Sequence, residues 1–251
     1  MRRRIPLFLV GAVVLAVLVL AVQVQLARTG PRLDDEVGFR PRELVVGGTP
    51  SSTVVWLGDS TSTGVGVDDV QDSMAHRVAA AEPDGVLLTI LGRSGAQIHE
   101  VLDEQVPALR RLLGRSSEPV TVYVSIGAND VTALTRRPTF RGRYRELVRE
   151  IATIAPDAEL VLVGIPDMGT APRLPRPLRQ IAGLRASQLD DDIAHLAEDI
   201  GAHHVDLASR TSAIFSSDPD RYFAADDFHP SAAGHAVWAD AVVESVAGSA
   251  G

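Results

Sequence analysis

The chain has 251 residues, 45% hydrophobic and 22% charged, enough for one sizeable α/β domain with a buried core. A net charge of −8 argues against nucleic-acid binding by the bulk surface. The lack of cysteine excludes disulfides, thiolate zinc sites, a cysteine nucleophile and a lipidated cysteine, and all 24 basic residues are arginine.

At the N-terminus, "MRRR" precedes "IPLFLVGAVVLAVLVLAVQVQLA", with no charge between Arg4 and Arg28. At about 1.5 Å per residue, roughly 20 helical residues cross a bilayer core. Residues 1–27 therefore predict a signal anchor in the bacterial cell membrane, with the rest of the chain outside the cytoplasm. A cleaved signal peptide, releasing a secreted domain, is the competing reading. Gln25 stands where a small residue is preferred for cleavage after Ala27, which favours the anchor. Residues 28–52 are rich in Pro, Gly and charge and read as a linker carrying one short edge strand at "ELVV".

From Thr53 onward, β-branched apolar runs alternate with helical patterns. Strands are predicted at 53–57, 86–91, 120–126, 159–164 and 202–207. Helices are predicted at about 68–81, 97–113, 139–155, 177–200 and 231–247. This alternation predicts a domain over 53–251, a three-layer α/β/α sandwich around a parallel sheet of about five strands. In such sheets, sites form outside the carboxyl ends of the strands, so the loops there hold the candidates.

After the first strand comes "GDSTSTGVG". A phosphate loop needs a lysine that is absent, and "GVGVDD" fails the dinucleotide pattern at its third glycine. Ser60 then has two readings. It is a nucleophile at a helix N-terminus, where N–H groups favour developing negative charge, or a simple helix cap. After the second strand, Gly95 in "GRSGAQ" offers its backbone N–H without a Cβ in the way, or is an ordinary turn glycine. After the third, Asn129 in "SIGANDVT" is an oxyanion donor or an Asx cap, and Asp130 is a cap or hydrogen-bond anchor. In "AADDFHPSAAGHAVW", Asp226 and His229 lie three apart in a loop, close enough for the carboxylate to fix the imidazole tautomer. His235 falls inside the following helix. His76, His99, His195, His203 and His204 fall in regular structure and read as structural.

Taken in order, "GDS", "RSGA", "GAND" and "DDFH" resemble the four motif blocks of the SGNH/GDSL hydrolases, over residues 53 to about 247. "GDSTSTGVGV", "SIGANDVT" and "DDFHPSAAG" are most similar to bacterial SGNH esterases. Thr61 replaces the leucine usual in the first block, and Ile90 stands where an asparagine often precedes the second. The resemblance implies the flavodoxin-like SGNH fold and carboxylic-ester hydrolysis. Ser60 would be the nucleophile, His229 the general base and acid, and Asp226 its orienting carboxylate. The N–H groups of Ser60 and Gly95 and the Asn129 side chain would form the oxyanion hole. It implies no metal or cofactor, and a small-molecule or lipid ester or an acylated sugar as substrate. Acyl transfer through the same acyl-enzyme and a non-catalytic binding module are the alternatives. The loop over 166–186 should border the site. Its Met168, Leu174, Leu178 and Ile181 suggest an acyl-pocket wall. Its Arg173, Arg176, Arg179 and Arg185 either favour anionic head groups or are merely solvated.

Overall fold

The computed structural model describes residues 7–31, 33, 38–114 and 118–249. The arginines at positions 2–4 lie outside the described residues, as do parts of the predicted linker. The chain opens with helix α1, Leu7–Thr29. Among the described residues no helix is long and apolar enough to cross a membrane, so the structure does not support the spanning anchor expected from residues 1–27. Strand β1, Arg42–Val46, follows, and β2, Pro50–Gly58, runs into the short helix α2, Ser60–Thr63. Next come α3, Met74–Ala80, and β3, Gly85–Ile90. Helices α4, Ile98–Glu100, and α5, Val106–Leu113, are joined by one π-helical turn, Val101–Gln105. Then follow β4, Val120–Ser125; α6, Ala128–Thr132; α7, Arg137–Ile154; β5, Glu159–Val163; and α8, Leu178–Ile200. The chain closes with β6, His203–Val205; α9, Leu207–Ser217; α10, Pro219–Tyr222; and α11, Ala232–Ser249.

The sheet order is β1-β3-β2-β4-β5-β6. β3, β2, β4, β5 and β6 pair in parallel, and β1 runs antiparallel along the β3 edge, so "ELVV" is indeed an edge strand. Parallel pairing needs crossovers that cover both faces, which explains the near-continuous apolar runs of the central strands. Val54 to Leu57, Val122 to Val124 and Val161 to Val163 are all buried. Trp56 and Tyr123 are register partners on β2 and β4, and their rings stack at 4.6 Å. This pair stiffens the two central strands.

The chain leaves β2 for β3 on one side and later returns to β4 on the other. The carboxyl end of β2 is therefore the switch point of the sheet, where crossovers part and leave a crevice. The "GDS" turn sits there. Helices α9 and α10, over residues 207–222, were not expected. Their aromatic residues pack with α11: Phe215 lies 5.4 Å from Trp238 and 5.1 Å from Phe223. That cluster supports the loop carrying His229.

Candidate active site

Asp59 follows β2 and caps α2, its Oδ1 accepting from the Thr61 N–H at 3.0 Å and the Thr61 hydroxyl at 2.9 Å. The hydroxyl that replaces the usual leucine thus helps to hold Asp59. The Thr61 and Ser125 hydroxyls are 2.6 Å apart, which extends the network to β4. Asp59 is fully buried, and that burial raises its carboxyl to about 6, against the opposing bonds from Thr61. Its cap leaves Ser60 as the first residue of a four-residue helix. So short a helix contributes little dipole, and any charge stabilisation here rests on individual N–H groups.

The turn itself is fixed from below. The Gly58 N–H donates to Gln105 Oε1 at 2.8 Å, and Gln105 Nε2 donates to the Gly58 carbonyl at 2.8 Å. Gln105 lies on the π-helical turn and is fully buried. Gly58 has φ +148°, and a Cβ there would sit 2.0 Å from the Ser125 carbonyl oxygen, so no other residue fits. Nothing in the sequence marked Gln105. Its partner is a backbone group 47 residues away.

The loop 223–230 folds back on itself. Phe223 and Pro230 form an isolated bridge, and the Ala224 N–H donates to the His229 carbonyl at 2.8 Å. This brings His229 to Ser60, with Nε2 3.2 Å from Oγ. On the other side of the ring, Nδ1 is 2.6 Å from Asp226 Oδ2. Asp226 Oδ1 accepts the N–H groups of Phe228 at 3.1 Å and His229 at 3.0 Å. Burial works against the Asp226 charge. The His229 ring, its N–H and its charge, with the Phe228 N–H, outweigh it and hold the carboxyl below its ordinary range. An ionised Asp226 can only accept, which assigns the proton to Nδ1 and leaves Nε2 to accept from the serine hydroxyl.

Asn129 is tied to the residue that follows Gly95. Asn129 Nδ2 donates to the Ala96 carbonyl at 3.1 Å, and Asp130 Oδ2 accepts from the Ile98 N–H at 2.9 Å. Helix α6 has no side-chain cap, so Asn129 is not an Asx cap, and its amide keeps a second N–H. Asp130 is the expected anchor. A Cβ at Gly95 would meet nothing within 4 Å, so the glycine there serves its φ of +75° and not access to its N–H. Gly66 packs against the Pro230 carbonyl. Gly66 therefore seats the histidine loop, whereas Gly64, at φ +81°, packs against Ser73.

His235 is buried, accepting from the Met74 N–H at 3.2 Å while its Nε2 lies 3.1 Å from the Val65 carbonyl. Burial lowers its imidazole to about 4, so it stays neutral and structural. His203 faces Ser245 at 3.0 Å and His204 faces Asp190 at 3.4 Å, on opposite sides of β6.

Three of the four arginines of the 166–186 loop are held by backbone carbonyls, while Arg176 is exposed. Arg179 donates to the Leu174 and Pro172 carbonyls, both at 2.7 Å, and Arg185 donates to the Val131 and Thr135 carbonyls. Arg173 donates to the Ala27 carbonyl at 2.7 Å and lies 3.5 Å from Asp226 Oδ2. Met168 lines a small cavity of about 40 Å³ beside Ser60 and His229. Leu174, Leu178 and Ile181 line a larger groove of about 590 Å³ that reaches His229.

Residues 56–237 match the model of the GDSL-like lipase/acylhydrolase family. A GDSL-like esterase of Mycobacterium tuberculosis is 31% identical over 189 residues, covering 73% of this chain and 58% of its own. The chain thus spans little over half the length of that relative. Among solved structures, phospholipase A1 of Streptomyces albidoflavus has a TM-score of 0.58 at 22% identity, covering 78% of this chain and 98% of that one. A variant of a Geobacillus acetyl-xylooligosaccharide esterase has a TM-score of 0.55 at 19% identity, covering 80% and 95%. Both likenesses concern the fold.

Proposed function

The chain belongs to the GDSL-like lipase/acylhydrolase family, and from that premise we propose that it is a serine ester hydrolase working through an acyl-enzyme on Ser60. The observation that carries this reading is the hydrogen-bonded series Ser60 Oγ, His229 Nε2, His229 Nδ1, Asp226 Oδ2, at 3.2 and 2.6 Å. Ser60 Oγ attacks the acyl carbonyl as its proton passes to His229 Nε2. Asp226 stabilises the imidazolium without taking its proton. The tetrahedral oxyanion is met by the N–H groups of Ser60 and Gly95 and by the Asn129 amide. His229 then returns the proton to the departing alcohol oxygen. A water, deprotonated by the same imidazole, cleaves the acyl-enzyme and regenerates Ser60. The steps need neither metal nor cofactor. Substrates are carboxylic esters of lipids or acylated sugars. The uncharged run between Arg4 and Arg28 supports export of the domain.

Hydrolysis of short-chain aryl esters by the full chain tests this. Ser60→Ala should lower kcat by on the order of 10⁶ while leaving the fold intact. Retention of wild-type turnover would rule the mechanism out.

A further inference from the structure

The larger groove has an unexpected wall. One side is Leu174, Leu178 and Ile181, from the segment after β5. The other is Leu20, Val24 and Ala27, all on α1. The groove is lined by Phe228 and His229, so it reaches the imidazole proposed to move the proton. Its 590 Å³ lies within the range of sites that enclose a small ligand.

The placement of α1 has a specific cause. Leu20, Val24 and Ala27 recur at spacings of four and three, which is one face of a helix. That face is half-buried, while Val22 and Leu26 beside it are 58% and 60% exposed. Gln23, on the same face, makes a paired amide clamp. Its Nε2 donates to the Arg176 carbonyl at 2.5 Å, and its Oε1 accepts the Leu178 N–H at 3.1 Å. Arg173 gathers the end of the helix, donating to the carbonyls of Ala27 at 2.7 Å, Gly30 at 3.3 Å and Pro31 at 2.5 Å. A single guanidinium therefore joins the N-terminal segment to the loop of Asp226.

Building on the ester-hydrolase reading, we propose that α1 is part of the substrate site, walling a channel for the hydrocarbon chain of the ester. The occupant follows from the lining. Both walls are aliphatic, and Leu134 and Ile181 at the rim are 68% and 45% exposed. Arg173 and Arg185, which also line the groove, are engaged with backbone carbonyls. Such a channel selects by chain length, since each methylene buried is worth roughly fourfold in binding.

The test uses the full chain, Val24→Arg and Gln23→Ala. Two ester series are run on each: 4-nitrophenyl esters with acyl chains from acetyl to decanoyl, and acetates of alcohols from ethyl to decyl. The wild type should favour the longer members by kcat/KM in at least one series. Val24→Arg, which puts a charge in the channel, should reduce that long-to-short ratio at least tenfold, mainly through KM. Gln23→Ala, which only releases the clamp, should reduce it by a smaller factor. The series that responds identifies the chain as acyl or alcohol. Each ratio is taken within one preparation, so loss of folded protein cancels. Ratios unmoved in both series by both variants would overturn the proposal and leave ester hydrolysis standing. Absence of hydrolysis of any ester by the wild type would overturn both.

Discussion

The reacting end and the groove end of this cleft are built differently. Around Ser60, the Asp59 and Asp226 carboxylates act on neighbours two or three residues away, while Asn129 and Gln105 reach across 33 and 47 residues. Asp59 caps the Ser60 turn, Asp226 holds His229 three residues away, and Asn129 spans the gap to Ala96. Around the groove, the walls come from residues 20–33, 131–134 and 173–185, joined by arginine bonds to distant carbonyls. The carboxylate–imidazole pair is placed by local backbone geometry, whereas chain-length selection depends on docking across 146 residues, between Arg173 and Ala27. Changes at the first end should remove turnover or the fold. Changes at the second should alter which ester is used.

The largest structural effect expected at the reacting end is Gly58→Ala. A Cβ 2.0 Å from the Ser125 carbonyl cannot be accommodated without moving β2 or β4. Destabilisation should reach about 4 kcal/mol or more, read as the shift in urea midpoint or as failure to accumulate folded protein. Tolerance of alanine would mean that the turn is less fixed than the comparison requires. Asn129→Ala should lower kcat roughly 10²–10³-fold with little change in KM, by loss of one oxyanion donor. An effect confined to KM would move Asn129 to the binding end of the cleft.

Two buried groups near the turn pull stability in opposite directions with pH. Burial raises Asp59 from 3.8 to about 6. Its contribution is fully present below pH 3.8 and lost as pH rises through 6. Burial lowers His235 from 6.5 to about 4. Its contribution is present above pH 6.5 and lost as pH falls through 4. Each shift corresponds to on the order of 3 kcal/mol, so in the wild type they largely cancel. Asp59→Asn leaves the His235 slope alone, and Tm should climb by about 5–10 °C more than in the wild type between pH 4 and 7. Parallel Tm profiles for the two proteins would contradict this. The smallest effect is Gln105→Leu. It leaves the buried Gly58 N–H unpaired, while the Gly58 carbonyl keeps the Arg93 N–H, and should cost about 1–3 kcal/mol in chemical unfolding.

What was legible in the sequence follows the same division. The five parallel strands and the edge strand at "ELVV" could be read because apolar runs and turn residues are local signals. Ser60, Gly95 and Asn129 stood out as small or polar residues just past those strands, and Asp226 and His229 as a pair in the loop before the last helix. Gln105 could not be found, because "DEQVP" does not reveal a π turn or a carbonyl partner 47 residues away. Arg173, Arg179 and Arg185 looked like solvated loop charges, since an arginine's choice of a distant carbonyl leaves no periodicity. Residues 1–27 read as a segment separate from the domain. Their hydropathy says nothing of the docking of Leu20, Val24 and Ala27 beside Leu178 and Ile181.

The central claim is that Ser60 is the nucleophile. A fluorophosphonate probe, which phosphonylates an activated serine, addresses it most directly when the adduct is mapped by peptide mass spectrometry. A single adduct on Ser60, absent from Ser60→Ala, is the result the geometry predicts. Labelling at another serine, or labelling undiminished in Ser60→Ala, would contradict it.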